Sequence, residues 1–175
     1  PIVAIYSTFM QRAFDQMFEE AALQKLPILV CMDRAGLVGS DGAVHHGFSD
    51  IAYLRPLPGM VLMAPADQAE LGAAMDLALS LDQPSAIRYP RDLVPENLPG
   101  VCDPFEPGKA RICLPGEDGT FLAYGTLTEQ ALEAAEILRA KDGLSIGVVN
   151  ARFAKPLDAN LISRLISAGK PLVIC

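Results

Sequence analysis

Short apolar runs and amphipathic stretches alternate along the whole chain. Ile2-Val3-Ala4-Ile5-Tyr6, Pro27–Met32, Met60–Ala64 and Ser85–Tyr89 are continuous apolar or β-branched runs. Runs of this kind read as parallel strands buried on both faces. Between the first two, Met10, Phe14, Met17 and Ala21 recur at helical spacing, and Thr8 with Gln11 reads as a capping box. Asp67 with Glu70 opens a second helix, with Leu71, Ala74, Met75 and Ala78 on its apolar side. The rhythm returns later. Ala110–Leu114, Thr120–Tyr124, Leu144–Val149 and Pro171–Cys175 read as strands. Thr126 and Glu129 open a helix with Leu127, Ala131, Ala134 and Leu138 in register, closed by Gly143. Asp158 caps a shorter one bearing Leu161, Leu165 and Ile166, closed by Gly169. Between the two series lie Pro95, Pro99, Pro104 and Pro107, which continue neither a helix nor a central strand.

The pattern therefore predicts an α/β protein of two mostly parallel, three-layer α/β/α units. The first spans residues 1–92, the second residues 108–175, and a stiff, PPII-like linker spans 93–107. A single sheet running through both halves would contradict it.

Composition narrows the function classes. The chain has 175 residues, an apolar fraction of 51% and a net charge of −7. An acidic chain without a basic block does not suit general nucleic-acid binding. No apolar run approaches the roughly 20 residues that span a bilayer, and no signal-peptide pattern opens the chain. Cys31, Cys102, Cys113 and Cys175 form no Cys-x-x-Cys pair and have no histidine at zinc-ligand spacing, so no metal site is expected from them. They read as reduced, mostly buried thiols of a cytoplasmic protein. The chain opens on Pro1 leading straight into a strand and closes on a strand with no covering helix, which reads as a piece of a larger protein.

One stretch breaks the rhythm. Asp33–Arg55 holds both histidines of the chain (His45, His46), four glycines (Gly36, Gly39, Gly42, Gly47), three aspartates (Asp33, Asp41, Asp50) and Arg34. It follows directly on a buried strand, and ligands of open α/β sheets bind beyond the carboxyl ends of strands. Arg34 and Arg91 both follow strand ends, where two guanidinium groups can clamp a phosphate. Asp41 and His45 are close enough in one loop for a carboxylate to orient an imidazole that moves a proton. Tyr6, Phe9 and Arg12 run from a strand end into a helix and can face one cleft, offering aromatic faces and a cation to a flat heteroaromatic ring. A solvated Arg12 and a core Phe9 would be the plain structural alternative. Neither a Gly-x-Ser-x-Gly elbow nor a Gly-x-Gly-x-x-Gly or Gly-Lys-Ser/Thr phosphate loop is present, which counts against a nucleotidase, kinase or dehydrogenase.

Five segments taken together resemble a known family: Tyr-Ser-Thr-Phe-Met-Gln-Arg (6–12), Asp-Arg-Ala-Gly (33–36), Asp-Gly-Ala-Val-His-His-Gly (41–47), Arg-Tyr-Pro-Arg (88–91) and Val-Asn-Ala-Arg-Phe-Ala-Lys-Pro-Leu-Asp (149–158). In order and spacing they resemble the 1-deoxy-D-xylulose-5-phosphate synthases, transketolase-like enzymes that depend on thiamine diphosphate. The resemblance implies a pyrimidine-binding domain followed by the start of a C-terminal domain. The implied parent is a homodimeric transferase that condenses pyruvate, with loss of carbon dioxide, with glyceraldehyde 3-phosphate. This reaction feeds isoprenoid, thiamine and pyridoxal biosynthesis. Neither nucleic acid nor membrane is an implied partner. By the same resemblance Phe9 stacks on the cofactor's pyrimidine and Arg12 borders it. Tyr6 contacts the reacting substrate, Arg34 and Arg91 bind the acceptor phosphate, and Asp41 and His45 contact substrate hydroxyl and carbonyl groups and assist proton transfer. The implied magnesium ligands, the diphosphate-binding domain and the glutamate that activates the cofactor lie upstream of Pro1, so these residues alone are not expected to catalyse the reaction.

The loop departs from the family pattern in two places. Val44 stands where the family has threonine, and Phe48-Ser49-Asp50 replaces a phenylalanine placed directly before the aspartate. Two other readings stay open at this point. One is the pyrimidine-binding subunit of another thiamine-diphosphate enzyme, of 2-oxoacid dehydrogenase or transketolase type. The other is a non-catalytic α/β interaction module.

Overall fold

The computed structural model describes residues 1–93, 97–100 and 102–175. Two sheets carry the fold. In the first, β1 (Ile2–Tyr6), β2 (Leu29–Asp33), β4 (Ser85–Arg88) and β3 (Val61–Met63) lie side by side in that order, all parallel. In the second the order is β5 (Arg111–Leu114), β7 (Ile146–Asn150), β6 (Gly119–Ala123) and β9 (Leu172–Ile174). There β5 runs antiparallel to β7, and the remaining pairs are parallel. The mostly parallel α/β class read from the pattern is the one observed.

Alternation explains why β2 is a continuous apolar run. Val30 and Met32 face one layer with Met10, Met17, Ala21, Leu54 and Leu57, whereas Leu29 and Cys31 face the other with Ala74, Ala78 and Ile87. The first layer is the helical segment 7–22, which contains α1 (Ser7–Met10) and α2 (Phe14–Gln16), together with α3 (Asp50–Leu54). The second is α4 (Gln68–Ser80). In the second unit, α5 (Leu127–Asp142) covers one face through Ala131 and Ala135, and α6 (Ala159–Ser167) covers the other through Leu161.

A ninth strand, absent from the sequence reading, crosses between the halves. β8 (Phe153–Lys155) pairs antiparallel with β3, so the first sheet ends on a strand supplied by the second half. Its Phe153 is fully buried beside Phe105 against the α4 face. Three residues are too short to show a periodicity of their own, and Lys155 gives this strand a polar end.

Several local expectations are corrected. Helix formation starts at Ser7, directly off β1, so Thr8 lies inside the first turn and its hydroxyl donates to the Val44 carbonyl at 3.1 Å instead of capping. A 3₁₀ turn at Gln11–Ala13 and a π turn at Met17–Ala22 break the 3.6-residue repeat. Phe14 consequently leaves the buried stripe and packs edge-on against Tyr53. Thr126 precedes α5 with helical backbone angles, φ −63° and ψ −18°, which keep its side chain from capping. Asp67 and Asp158 do cap, accepting the N–H groups of Glu70 and Leu161. Cys31 is buried, but Cys113 is only partly covered and Cys175 is exposed.

The proline-rich connection is pinned rather than free where it is described. Leu98 and Phe105 are buried, and the Leu98 N–H donates to Asp67 Oδ2 at 3.0 Å. Pro95 lies outside the described residues. The pin extends into a buried charge cluster. Glu70 Oε1 accepts from Arg152 Nε at 2.9 Å and from Arg111 Nη1 at 3.2 Å, and Glu70 Oε2 accepts from Asn150 Nδ2 at 2.8 Å. Arg111 Nη1 also reaches Asp67 Oδ2 at 3.4 Å, and further N–H groups of the two guanidiniums donate to the carbonyls of Pro99, Gly100, Asp103 and Pro104.

Candidate active site

The site is assembled at the carboxyl ends of β1, β2 and β4. Tyr6 ends β1 and Phe9 sits one turn into the helix that follows, so their rings stack with centroids 5.2 Å apart and planes 8° from parallel. His45 meets both rings edge-on, at 6.3 and 5.6 Å. Phe9 remains 42% exposed, so a parallel aromatic pair keeps one side accessible.

Arg34 follows the last residue of β2 in a left-handed conformation, φ 57°, uncommon for a residue with a side chain. Its guanidinium lies 3.8 Å from the Tyr6 ring centroid. Nη1 donates to both Asp33 oxygens at 2.8 Å, and Nε donates to Asp41 Oδ2 at 2.7 Å. Arg91, three residues past β4 and half exposed, donates to the other Asp41 oxygen. Two arginines from different strand ends thus converge on one carboxylate.

The loop that brings Asp41 and His45 here is closed at its base. Gly36 and Gly47 exchange two backbone hydrogen bonds of 2.9 Å. Only glycine fits at position 47, because a Cβ there would stand 2.7 Å from the Arg34 carbonyl and 2.6 Å from Ser7 Cβ. Inside the loop the two histidines part company. His45 Nδ1 lies 2.7 Å from the Asp41 carbonyl, which only accepts, so Nδ1 carries the proton and Nε2 is the basic nitrogen. His46 Nδ1 instead accepts the Val38 N–H at 3.1 Å. The Val44 side chain is exposed, and its carbonyl accepts the Thr8 hydroxyl.

Of the residues singled out from the sequence, Tyr6, Phe9, Arg34, Asp41, His45 and Arg91 gather in this cluster. Arg12 is exposed on the 3₁₀ turn and takes no part in these hydrogen bonds and ion pairs. Among the described residues no group of three or more His, Cys, Asp or Glu could hold a metal ion, and no helix is long and apolar enough to cross a membrane.

Family models match the chain in two blocks. Residues 1–97 match the transketolase pyrimidine binding domain, and residues 108–175 match the transketolase C-terminal domain. The chain belongs to the transketolase family. A 1-deoxy-D-xylulose-5-phosphate synthase of Rhodopirellula baltica is 51% identical over 173 residues, which is 99% of this chain and 27% of that protein. One of Magnetococcus marinus is 48% identical over 99% of this chain and 28% of its own length. The chain thus spans about a quarter of the curated relatives it matches. Among solved structures, a split-gene transketolase described as an inactive β4 tetramer superposes with a TM-score of 0.90 at 32% identity, covering all of this chain and 56% of that one. The Campylobacter jejuni transketolase gives 0.82 at 26% identity, covering 99% of this chain and 28% of that one.

Two features of this transketolase-family chain escape sequence reading. Asp33 grips Arg34 in a bidentate pair between adjacent residues, for which no spacing rule exists. Arg88 and Asp50, 38 positions apart, form a buried ion pair at 2.8 Å that only the folded sheet creates.

The charges around Asp41 have a consequence for pH. The Arg34 hydrogen bond holds the Asp41 carboxyl below the usual carboxylate range, opposed by partial desolvation and reinforced by the Arg91 charge. A carboxyl whose folded pKa is depressed contributes its full stabilisation above the unfolded value, about pH 4, and loses it as pH falls through the folded value. The loop should therefore keep its Asp41 contacts throughout the neutral range and lose them as pH falls below the usual carboxylate range. Carboxyl carbon NMR titration of the chain should place the Asp41 midpoint below those of exposed aspartates; a midpoint at or above them would contradict the geometry.

Proposed function

We propose that these residues form the pyrimidine-binding and acceptor-binding part of a thiamine-diphosphate-dependent synthase that condenses pyruvate with glyceraldehyde 3-phosphate. One observation carries the reading. Arg34 and Arg91 converge on a single anionic point beside a stacked aromatic pair and a histidine of fixed tautomer. Phosphate needs such paired, charge-assisted donors, a flat heteroaromatic ring needs an aromatic face, and proton transfer needs the imidazole. Identity near 50% with synthases of this name supports the same assignment.

The half-exposed Phe9 face, backed by Tyr6, fits a pyrimidine ring and would hold it by stacking, with Arg12 at its border. When bound, thiamine diphosphate supplies the carbanion chemistry, and protein groups orient substrates and move protons. Arg34 and Arg91 hold the phosphoryl group of the acceptor. Asp41, on which both arginines converge, and Tyr6, one ring of the aromatic pair, would reach substrate hydroxyl and carbonyl groups. His45 accepts or returns a proton at Nε2. In this reading the magnesium ion is bound outside these 175 residues, and the complete enzyme is a cytoplasmic homodimer.

The test is a chimera. The matching segment of the Rhodopirellula baltica synthase is replaced by these residues, and carbon dioxide release and product are followed. Thiamine-dependent turnover of pyruvate with glyceraldehyde 3-phosphate is expected. A folded chimera that binds thiamine diphosphate yet turns over neither substrate would refute the reading.

A further inference from the structure

Asp50 and Arg88 have no part in the chemistry above, yet they form the most enclosed ion pair beside it. Arg88 Nε donates to Asp50 Oδ2 at 2.8 Å, and Nη2 reaches Oδ1 at 3.4 Å. The Asp50 side chain is fully buried and that of Arg88 is 15% exposed. Asp50 Oδ1 also accepts the Ile51 N–H at 2.9 Å, which fixes the carboxylate at the start of α3. On its far side the Arg88 guanidinium lies 5.7 Å from the centroid of the Tyr124 ring, just past β6 in the second unit.

The placement in the chain gives the pair a job. Arg88 is the last residue of β4, three positions before Arg91, and stands in register with Met32 of β2. Asp50 comes five positions after His45. At the near end, the loop is tied to β4 by the Ala35 N–H bond to the Tyr89 carbonyl at 3.0 Å. At the far end, the tie is Asp50 with Arg88. Between these ties lie Asp41 and His45, opposite Arg91. An apolar contact could supply as much stability as a buried ion pair. It would not fix the angle and distance between two arms in the way that directional charge-assisted bonds do.

We infer that Asp50 and Arg88 are positioning residues for the acceptor half of the reaction. They set the separation between the loop carrying Asp41 and His45 and the strand end carrying Arg91. The inference rests on the reading of Arg91 as a phosphate ligand. The pair is neutral as a whole and does not touch the Arg34–Asp41–Arg91 cluster, so its effect comes through geometry. Misplacement of a bound group by about 1 Å costs on the order of a hundredfold.

The experiment uses the chimeric synthase with Asp50→Asn, Arg88→Lys and, separately, Arg91→Ala. Asp50→Asn should raise the KM for glyceraldehyde 3-phosphate about tenfold to a hundredfold, with the KM for pyruvate within about twofold. Arg88→Lys keeps the charge and should give a smaller shift of the same selectivity, and Asp50→Glu should recover part of the loss. A purely structural role would lower the melting temperature or the active fraction and leave the acceptor KM of the folded enzyme where it was. That result overturns the inference, and an unmoved acceptor KM in Arg88→Lys does so even if Asp50→Asn fails to fold. If Arg91→Ala itself leaves the acceptor KM unchanged, the phosphate-ligand reading fails first and the inference falls with it.

Discussion

Replacing Glu70 with alanine lowers the stability of the chain by about 3–5 kcal/mol, because it leaves two guanidinium groups buried without their shared carboxylate. Arg111 and Arg152 are 2% and 1% exposed, and both donate to Glu70 Oε1. Asn150 and the Ala66 N–H lose their partner Oε2 at the same time. For a chain of this size the melting midpoint should fall by roughly 10 °C. Glu70→Gln keeps the shape and one acceptor but removes the charge, so its effect should be intermediate. Substitution of Glu136, exposed on α5, should stay within about 0.5 kcal/mol. Urea unfolding of the three variants checks this. Equal midpoints for Glu70→Ala and Glu136→Ala would mean that the cluster is not holding the two units together.

Alanine at Arg34 or Arg91 weakens the acceptor aldehyde selectively in the chimeric synthase. Each change removes a charge-assisted contact worth roughly 1.5–3 kcal/mol, or about tenfold to more than a hundredfold in acceptor affinity. The two variants should differ in kind. Arg91 is half exposed and held at Asp41 alone, so its loss leaves the loop in place. Arg34 also binds Asp33 and covers Tyr6, so its loss unpairs Asp33, leaves Asp41 with Arg91 alone and disturbs the aromatic pair. Arg34→Ala should therefore impair pyruvate turnover as well, though less than acceptor binding, whereas Arg91→Ala should spare it. Lysine at either position restores charge without the planar fork, so recovery should be partial. Steady-state kinetics with each substrate varied in turn decides the matter. Parallel losses for pyruvate and acceptor in Arg91→Ala would remove the phosphate assignment.

Much of this arrangement was legible because it is local. Buried strands announce themselves as apolar runs, and strand ends in a parallel sheet point to one edge, which is why Arg34, Arg91 and the loop with Asp41 and His45 could be grouped beforehand. What stayed hidden depends on long-range pairing or broken periodicity. Glu70 read as the far member of a cap, and its burial follows from Arg111 and Arg152, more than 40 positions away. Phe14 left the core because the first helix is not a regular α-helix. Spacing alone left Arg12 open between the cleft and solvent, and the structure shows it exposed on the 3₁₀ turn. The adjacent histidines are identical in sequence, and only the backbone around them gives one a protonated Nδ1 and the other an accepting one.

The exchange of β8 bears on how the family modules can be taken apart. A polypeptide stopped in the proline-rich connection would carry β1 to β4 but leave the outer edge of β3 without its antiparallel neighbour. It would also open the slot that Phe105 and Phe153 fill. Unpaired, apolar sheet edges recruit other chains, so the first module expressed alone is a candidate for self-association rather than a soluble half. Recombination between relatives is safer with crossovers outside the interval from Val61 to Lys155, so that lender and borrower of the strand travel together.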